Sequence, residues 1–150
     1  MRLVCLCAAF ACLISCGTNQ ASQDSYEVNT IPLTLPDGET IRVEVMVHDQ
    51  DMRKGMMFRD EMKPGHGMLF FHSKAVTMPY WMFQVKIPLD IVWLDADRKV
   101  VEMIPNVPPC TTVASQCPSY GGNKPSSYVL ELAGGMAQKY GLRVGESVAF

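Results

Sequence analysis

Alternation of apolar and polar residues is the dominant pattern along this chain. In "TIRVEVMVH", Ile41, Val43, Val45 and Val47 share one face, with Arg42, Glu44 and Met46 on the other. That is the period of a half-buried β-strand. The preceding run "YEVNTIPLTL" is equally strand-like, and Pro36-Asp37-Gly38 between the two marks a turn. "DQDMRKG" breaks the alternation and predicts a short helix, with Asp49 as N-cap, Met52 and Met56 one turn apart, and Gly55 ending it. Further strands are expected at Gly67–Phe71, in "VTMPYWMF", in "LDIVWL", in "VVEMI" and in "SYVLEL". Pro79 pushes the second of these to a late start or to an edge. Asp95–Lys99 reads as a hairpin connection. "GGMAQKYGL" predicts a second helix closed by Gly141-Leu142, and "ESVAF" a last strand.

The pattern adds up to about eight short strands and two short helices. The expectation is therefore a mainly β chain, folded as a single antiparallel β-sandwich or partly closed β-barrel. Within it, "YWMFQVKIPLD" is apolar at every odd position from Trp81 to Leu89 and ends on a carboxylate. If extended throughout, it would send Trp81, Phe83, Val85, Ile87, Leu89, Ile91 and Trp93 into the core. Met82, Gln84, Lys86, Pro88 and Asp90 would face the other way. A bulge or turn at Val85–Pro88 would reset that parity.

Only Pro105–Ser126 resists an assignment, since Pro105, Pro108, Pro109, Pro118, Pro125 and Gly121-Gly122 exclude regular structure over most of it. So long a loop in a compact domain is functional, disordered or pinned by a cross-link. Cys110 and Cys117 lie inside it. In an exported chain such a pair favours a disulfide, worth roughly 2.5 kcal/mol in the chain-entropy model. A redox pair, a metal site and free thiols are the alternatives; the six-residue spacing and the lack of a nearby His speak against the first two.

The N-terminus changes the picture of where the protein lives. "MRLVCLCAAFACLISCG" carries Arg2 and then an apolar run from Leu3 to Ile14. As a helix that run would rise only ~18 Å, short of the ~30 Å hydrocarbon core, so it reads as a targeting segment and not a membrane span. Its end, Leu13-Ile14-Ser15-Cys16, resembles the bacterial lipobox. The resemblance implies a signal peptide over 1–15, cleavage before Cys16, and a lipid on the Cys16 thiol. Gly17 in place of Asp implies forwarding to the outer membrane, facing the periplasm. Residues 16–25 then form a polar tether, and 26–150 a single β-rich domain.

Composition narrows the partners. The chain has 150 residues, 48% hydrophobic and 19% charged, with a formal charge of −2, so it is globular and lacks the basic footprint of a nucleic-acid binder. The expected partners are the membrane, through the lipid, and a small molecule, glycan or envelope protein, with the chain itself a monomer. No cofactor is expected: nucleotide, zinc-protease and serine-hydrolase fingerprints are missing. "DADRK" lacks the Gly and terminal Glu of a calcium loop and reads as a turn. The eleven Met residues read as core filler, without the Met-x-x-Met clusters of a copper(I) site. His48, His66 and His72 lie on different elements and read as surface or capping residues.

Several separated motifs also resemble, in order, the prokaryotic domain-of-unknown-function family 192. They are Arg53-Lys54-Gly55-Met56-Met57-Phe58-Arg59, then Tyr80-Trp81-Met82 with Ile87-Pro88-Leu89-Asp90, then Pro109-Cys110 with Cys117-Pro118-Ser119-Tyr120. The resemblance implies a small, mostly β, often exported domain and carries no catalytic residues with it.

Four residues are candidates for ligand binding: Arg59, Trp81, Asp90 and Tyr120. Asp90, paired with Arg59 or Arg53, would sit at the rim of a pocket walled by Trp81 and Tyr120. The competing role for Asp90 is a structural carboxylate. The functional expectation is a non-enzymatic envelope lipoprotein binding a small ligand, glycan or partner protein. The alternatives are an envelope hydrolase or lyase using Asp90 with an Arg or His partner, and an assembly factor without a ligand.

Overall fold

A computed structural model describes residues 29–150. The expected signal peptide, lipid anchor and tether lie outside the described residues. Among the described residues eight strands form two sheets. The larger has the order β1-β2-β3-β8-β5-β6 and the smaller pairs β4 with β7. The strands are β1 (Thr30–Thr34), β2 (Thr40–Met46), β3 (His66–Val76), β4 (Tyr80–Trp81), β5 (Leu89–Leu94), β6 (Val100–Val107), β7 (Ser119–Tyr120) and β8 (Ser126–Ala133); the helices are α1 (Asp49–Lys54) and α2 (Met136–Lys139). The sheet does not close into a barrel, and the domain is sandwich-like.

One sheet serves two cores, because both of its faces are covered. On one face Leu33, Ile41, Val43, Leu69, Val92, Leu94, Leu130 and Leu132 pack under Ala137, Tyr140 and Leu142. On the other, Met46, Met68, Phe70, Ile91, Trp93 and Val129 pack under Met56, Met82 and Val85. β5 runs between β8 and β6 and is buried at all of its positions. This is why "LDIVWL" is apolar almost without interruption: a strand covered on both faces has no solvent side.

Several expectations are corrected. β2 and β3 pair parallel, Met46 opposite Phe70. The connection through α1 is long enough to return the chain to the same end of the sheet, as a parallel pair requires. The cap before α1 is His48, not Asp49, and its side chain makes no capping bond. "VTMPYWMF" starts late, as Pro79 implies, but is cut to the two-residue β4 because the chain turns just beyond it at Gln84. The C-terminal "ESVAF" makes isolated bridges, Lys99 with Ser147 and Thr34 with Ala149, instead of a strand. In the other direction, β6 extends through Pro105 because it lies at the sheet's edge, where a missing donor is tolerated.

The expected parity of "YWMFQVKIPLD" fails at its centre. Met82 is fully buried while Trp81 is 43% exposed. Gln84 adopts a left-handed conformation (φ 56°), so the chain turns and no single face runs from Trp81 to Leu89. The turn is held on both sides. The Gln84 N–H donates to the Cys110 carbonyl at 2.9 Å, and the Gln84 carbonyl accepts from the Phe58 N–H at 2.9 Å. Cys110 and Cys117 are joined by a disulfide, as expected, with their Cα atoms 5.8 Å apart.

Candidate functional site

The four residues expected to line one pocket lie in four different settings. Asp90 is fully buried, and both of its oxygens are committed to backbone donors. Its Oδ1 accepts from the Asn106 N–H at 2.7 Å and the Gly135 N–H at 2.9 Å, and its Oδ2 from the Ala137 N–H at 2.7 Å. It thus caps α2 from a neighbouring strand, where a carboxylate satisfies donors that a helix start leaves unpaired. Asp90 is closed off from solvent and has no arginine partner among the described residues. The expected pairing with Arg59 or Arg53 is corrected accordingly.

Arg59 answers Glu44 instead. Its two terminal nitrogens donate to the two Glu44 oxygens at 2.6 and 2.7 Å, the bidentate geometry that suits a guanidinium. This pair borders a small cavity of about 320 Å³, lined also by Met56, Met68 and His66. Tyr120 pairs with Tyr80 between β7 and β4 and packs against the second core. Of the four, only Trp81 borders the large groove of the molecule.

That groove has a volume of about 890 Å³. One wall is α1 with its flanking segments, from Val47 through Met52, Arg53 and Lys54 to Phe58; the other is the tail of β3 with Met78–Trp81. Phe58 stands out because its own backbone is left-handed (φ 67°) and its N–H is held by Gln84. The Met78 side is held by close packing from below. The Trp93 indole N–H donates to the Met78 carbonyl at 3.2 Å. A Cβ on Gly122 would meet the Met78 backbone at 2.2 Å, and one on Gly121 would meet the Trp93 ring at 2.4 Å. Only glycines allow β7 to lie this close to the wall.

Among the described residues, four of the six exposed large hydrophobic ones, Val47, Phe58, Met78 and Trp81, border this one groove. Arg53, Lys54 and Lys74 lie along it against a single carboxylate, Asp49. Among the described residues the ion pairs are Arg59–Glu44 and Lys86–Asp60, which leaves those three cations without a carboxylate partner. The groove is therefore apolar and positive on a chain whose formal charge is −2.

Polar groups sit beneath it. The Tyr80 hydroxyl lies 3.3 Å from His72 Nε2, and both residues border the groove. Burial lowers the His72 pKa and, with the nearby Glu131 charge, raises that of Tyr80. Glu131 itself lies deeper, on the central strand β8, paired with Met68 and Ile91. Its Oε2 is buried with no hydrogen-bond partner. Burial pushes its pKa up to about 8, partly offset by Arg59, so it is mainly protonated at neutral pH. Glu131 was not among the expected site residues, yet "SYVLEL" held a signal for it: Glu131 shares the strand face of Val129. The exposed Phe58 and Met78 carried no such signal, because their exposure depends on a turn and on packing distant in sequence. Among the described residues no group of three His, Cys, Asp or Glu could hold a metal ion.

Solved structures share this architecture. One, a protein of unknown function from Novosphingobium aromaticivorans DSM 12444, is 27% identical with a TM-score of 0.72, covering 85% of this chain and 89% of its own. Another, a candidate transcription regulator from Sinorhizobium meliloti 1021, is also 27% identical, with a TM-score of 0.68 over 80% of this chain and 91% of its own. No protein of curated function matches the chain. The family model DUF192, described as uncharacterized ACR, matches residues 33–150, from the first core strand to the last residue, and the chain belongs to this family.

Proposed function

We propose that this protein is a binding module of the cell envelope, and that the groove between α1 and the tail of β3 is its site. The observation that carries the reading is the concentration of Val47, Phe58, Met78 and Trp81 along one groove with unpaired Arg53, Lys54 and Lys74. Exposed apolar surface gathered in a concave site and rimmed by charge marks a place where a ligand replaces water. The matching chemistry is an apolar body bearing a negative group, which fits better than a neutral glycan. A hydrolase or lyase built on Asp90 loses its acid or base, because all of that carboxylate's geometry is spent on backbone donors.

The deciding experiment is a thermal-shift series on the full chain in mild detergent with anionic, neutral and cationic amphiphiles of equal chain length. The anionic member should stabilise the wild type through binding to the folded state. The gain should disappear in Trp81→Ala and shrink in Arg53→Ala/Lys54→Ala. Equal stabilisation by all three head groups, or an unchanged shift in Trp81→Ala, would remove the groove as the site. The lipid anchor at Cys16, and with it an outer-membrane position facing the periplasm, belongs to the same proposal. Labelled palmitate should enter the wild type in bacterial cells and not Cys16→Ser; equal labelling of both refutes the anchor.

A further inference from the structure

Pairing between β2 and β3 stops at Met46 opposite Phe70, but β3 continues to Val76. On its other side β3 meets β8 at Phe71 and again, after an irregularity, at Val76. Beyond Phe70, therefore, the β2 side of β3 has no partner strand among the described residues. The chain that would have continued β2 turns away into α1 instead, and the groove opens in the space it leaves. The groove runs along Phe71, His72, Ser73, Lys74 and Val76, a bulged edge, since the five steps of β3 from Phe71 to Val76 face only the two steps of β8 from Tyr128 to Ser126.

An open edge is a template for another strand unless it is blunted, and a lysine such as Lys74 and a bulge such as the one between Phe71 and Val76 are common blunting devices. Two features count against blunting as the whole account. Lys74 is accompanied by Arg53 and Lys54 across the groove, a positive field that would draw an acidic segment to the edge. Apolar Val47, Met78 and Trp81 flank the edge in the open, where a merely protected edge would carry polar neighbours. Unpartnered main chain, apolar contacts beside it and charge at the rim are the three parts of recognition by strand addition.

We infer that the groove takes an extended acidic peptide, with apolar residues at alternate positions, as an added strand on the open edge of β3. The inference rests on the groove reading above and specifies its occupant. Alternation matters because successive side chains of a strand point to opposite sides: one set would enter the groove between Phe58 and Trp81, and the other would meet Arg53, Lys54 and Lys74.

The test uses the full chain in mild detergent and a fluorescein-labelled decapeptide of five Glu-Val repeats, read by anisotropy. Saturable binding is expected, weakened about tenfold or more by Lys74→Glu and by Trp81→Ala. Val144→Ala, an exposed apolar residue away from the groove, should leave it unchanged. Two further peptides, N-methylated at the odd or at the even residues, separate strand addition from simple apolar binding. A strand pairs through alternate residues, so one of the two should lose binding and the other keep it. If both bind as the parent does, strand addition is wrong while the groove stands on its Trp81 dependence. If the parent peptide fails to bind at all, the peptide inference is overturned, and the amphiphile series above decides the groove separately.

Discussion

Glu131 shows how one side chain couples the centre of the sheet to pH. Its folded pKa, about 8, lies above the ordinary value of 4.5 because burial disfavours the charged form. Between those values the folded chain holds a proton that the unfolded chain has released, so stability falls as pH rises through this window and levels off above it. Urea midpoints measured from pH 4 to pH 9 should decline for the wild type across that window, a decline that Glu131→Gln should abolish. A parallel decline in both would place the titrating group elsewhere. Arg59→Met removes the positive charge that partly offsets the burial, so the Glu131 titration, followed by NMR of its side-chain carbon, should move further up. Asp90 is the opposite case, a buried carboxylate with every partner supplied. Asp90→Ala would strand three backbone N–H groups and should cost about 2–4 kcal/mol. Asp90→Asn keeps an acceptor and should cost less, as denaturant titration would show. Neither role could be separated from a ligand-binding one in the sequence, where Asp90 and Glu131 are both single acids in apolar strands.

At the level of elements, the groove wall is assembled by relay. The disulfide closes Cys110–Cys117, Cys110 holds the turn at Met82–Gln84, and Gln84 holds Phe58. Replacing both cysteines by serine should lower stability by about 2.5 kcal/mol through the freer unfolded chain. It should also loosen Phe58, read as faster amide exchange of its N–H than the global loss of stability explains. Equal slowing or equal speeding across the whole domain would mean that no relay exists. The elements legible in the sequence were those whose pattern is local: β2, α1, the Asp95–Lys99 hairpin connection, β5 and the Gly141 cap. The C-terminal strand was misread, and the far end of β4 overrun, because a short apolar run is a strand only as far as a partner's edge accompanies it. The parallel pairing of β2 and β3 was equally hidden, since alternation says which face is buried and not which way a neighbour runs.

For the whole molecule, one sheet with two covered faces predicts one cooperative unit. Leu130→Ala on one face and Val129→Ala on the other should each lower the same unfolding midpoint, the larger truncation by about 2–5 kcal/mol, with far-ultraviolet dichroism and tryptophan fluorescence changing together. Separate transitions by the two probes would mean that the two cores fold independently. What the amino-acid sequence determined by itself was what depends on neighbours along the chain: a mainly β domain, most of its strands, the turn chemistry and its family; the pairing of its two loop cysteines was favoured there and is made in the fold. The tertiary structure alone decided which polar groups answer one another. It assigned Asp90 to the start of α2, Arg59 to Glu44, and Trp81 to a groove with Phe58 and Met78. The last of those choices turns on the left-handed turn at Gln84 and on where β2 stops short of β3. Burial and pairing are set by residues far apart in the chain, and a one-residue change of register exchanges the inside of a strand for its outside.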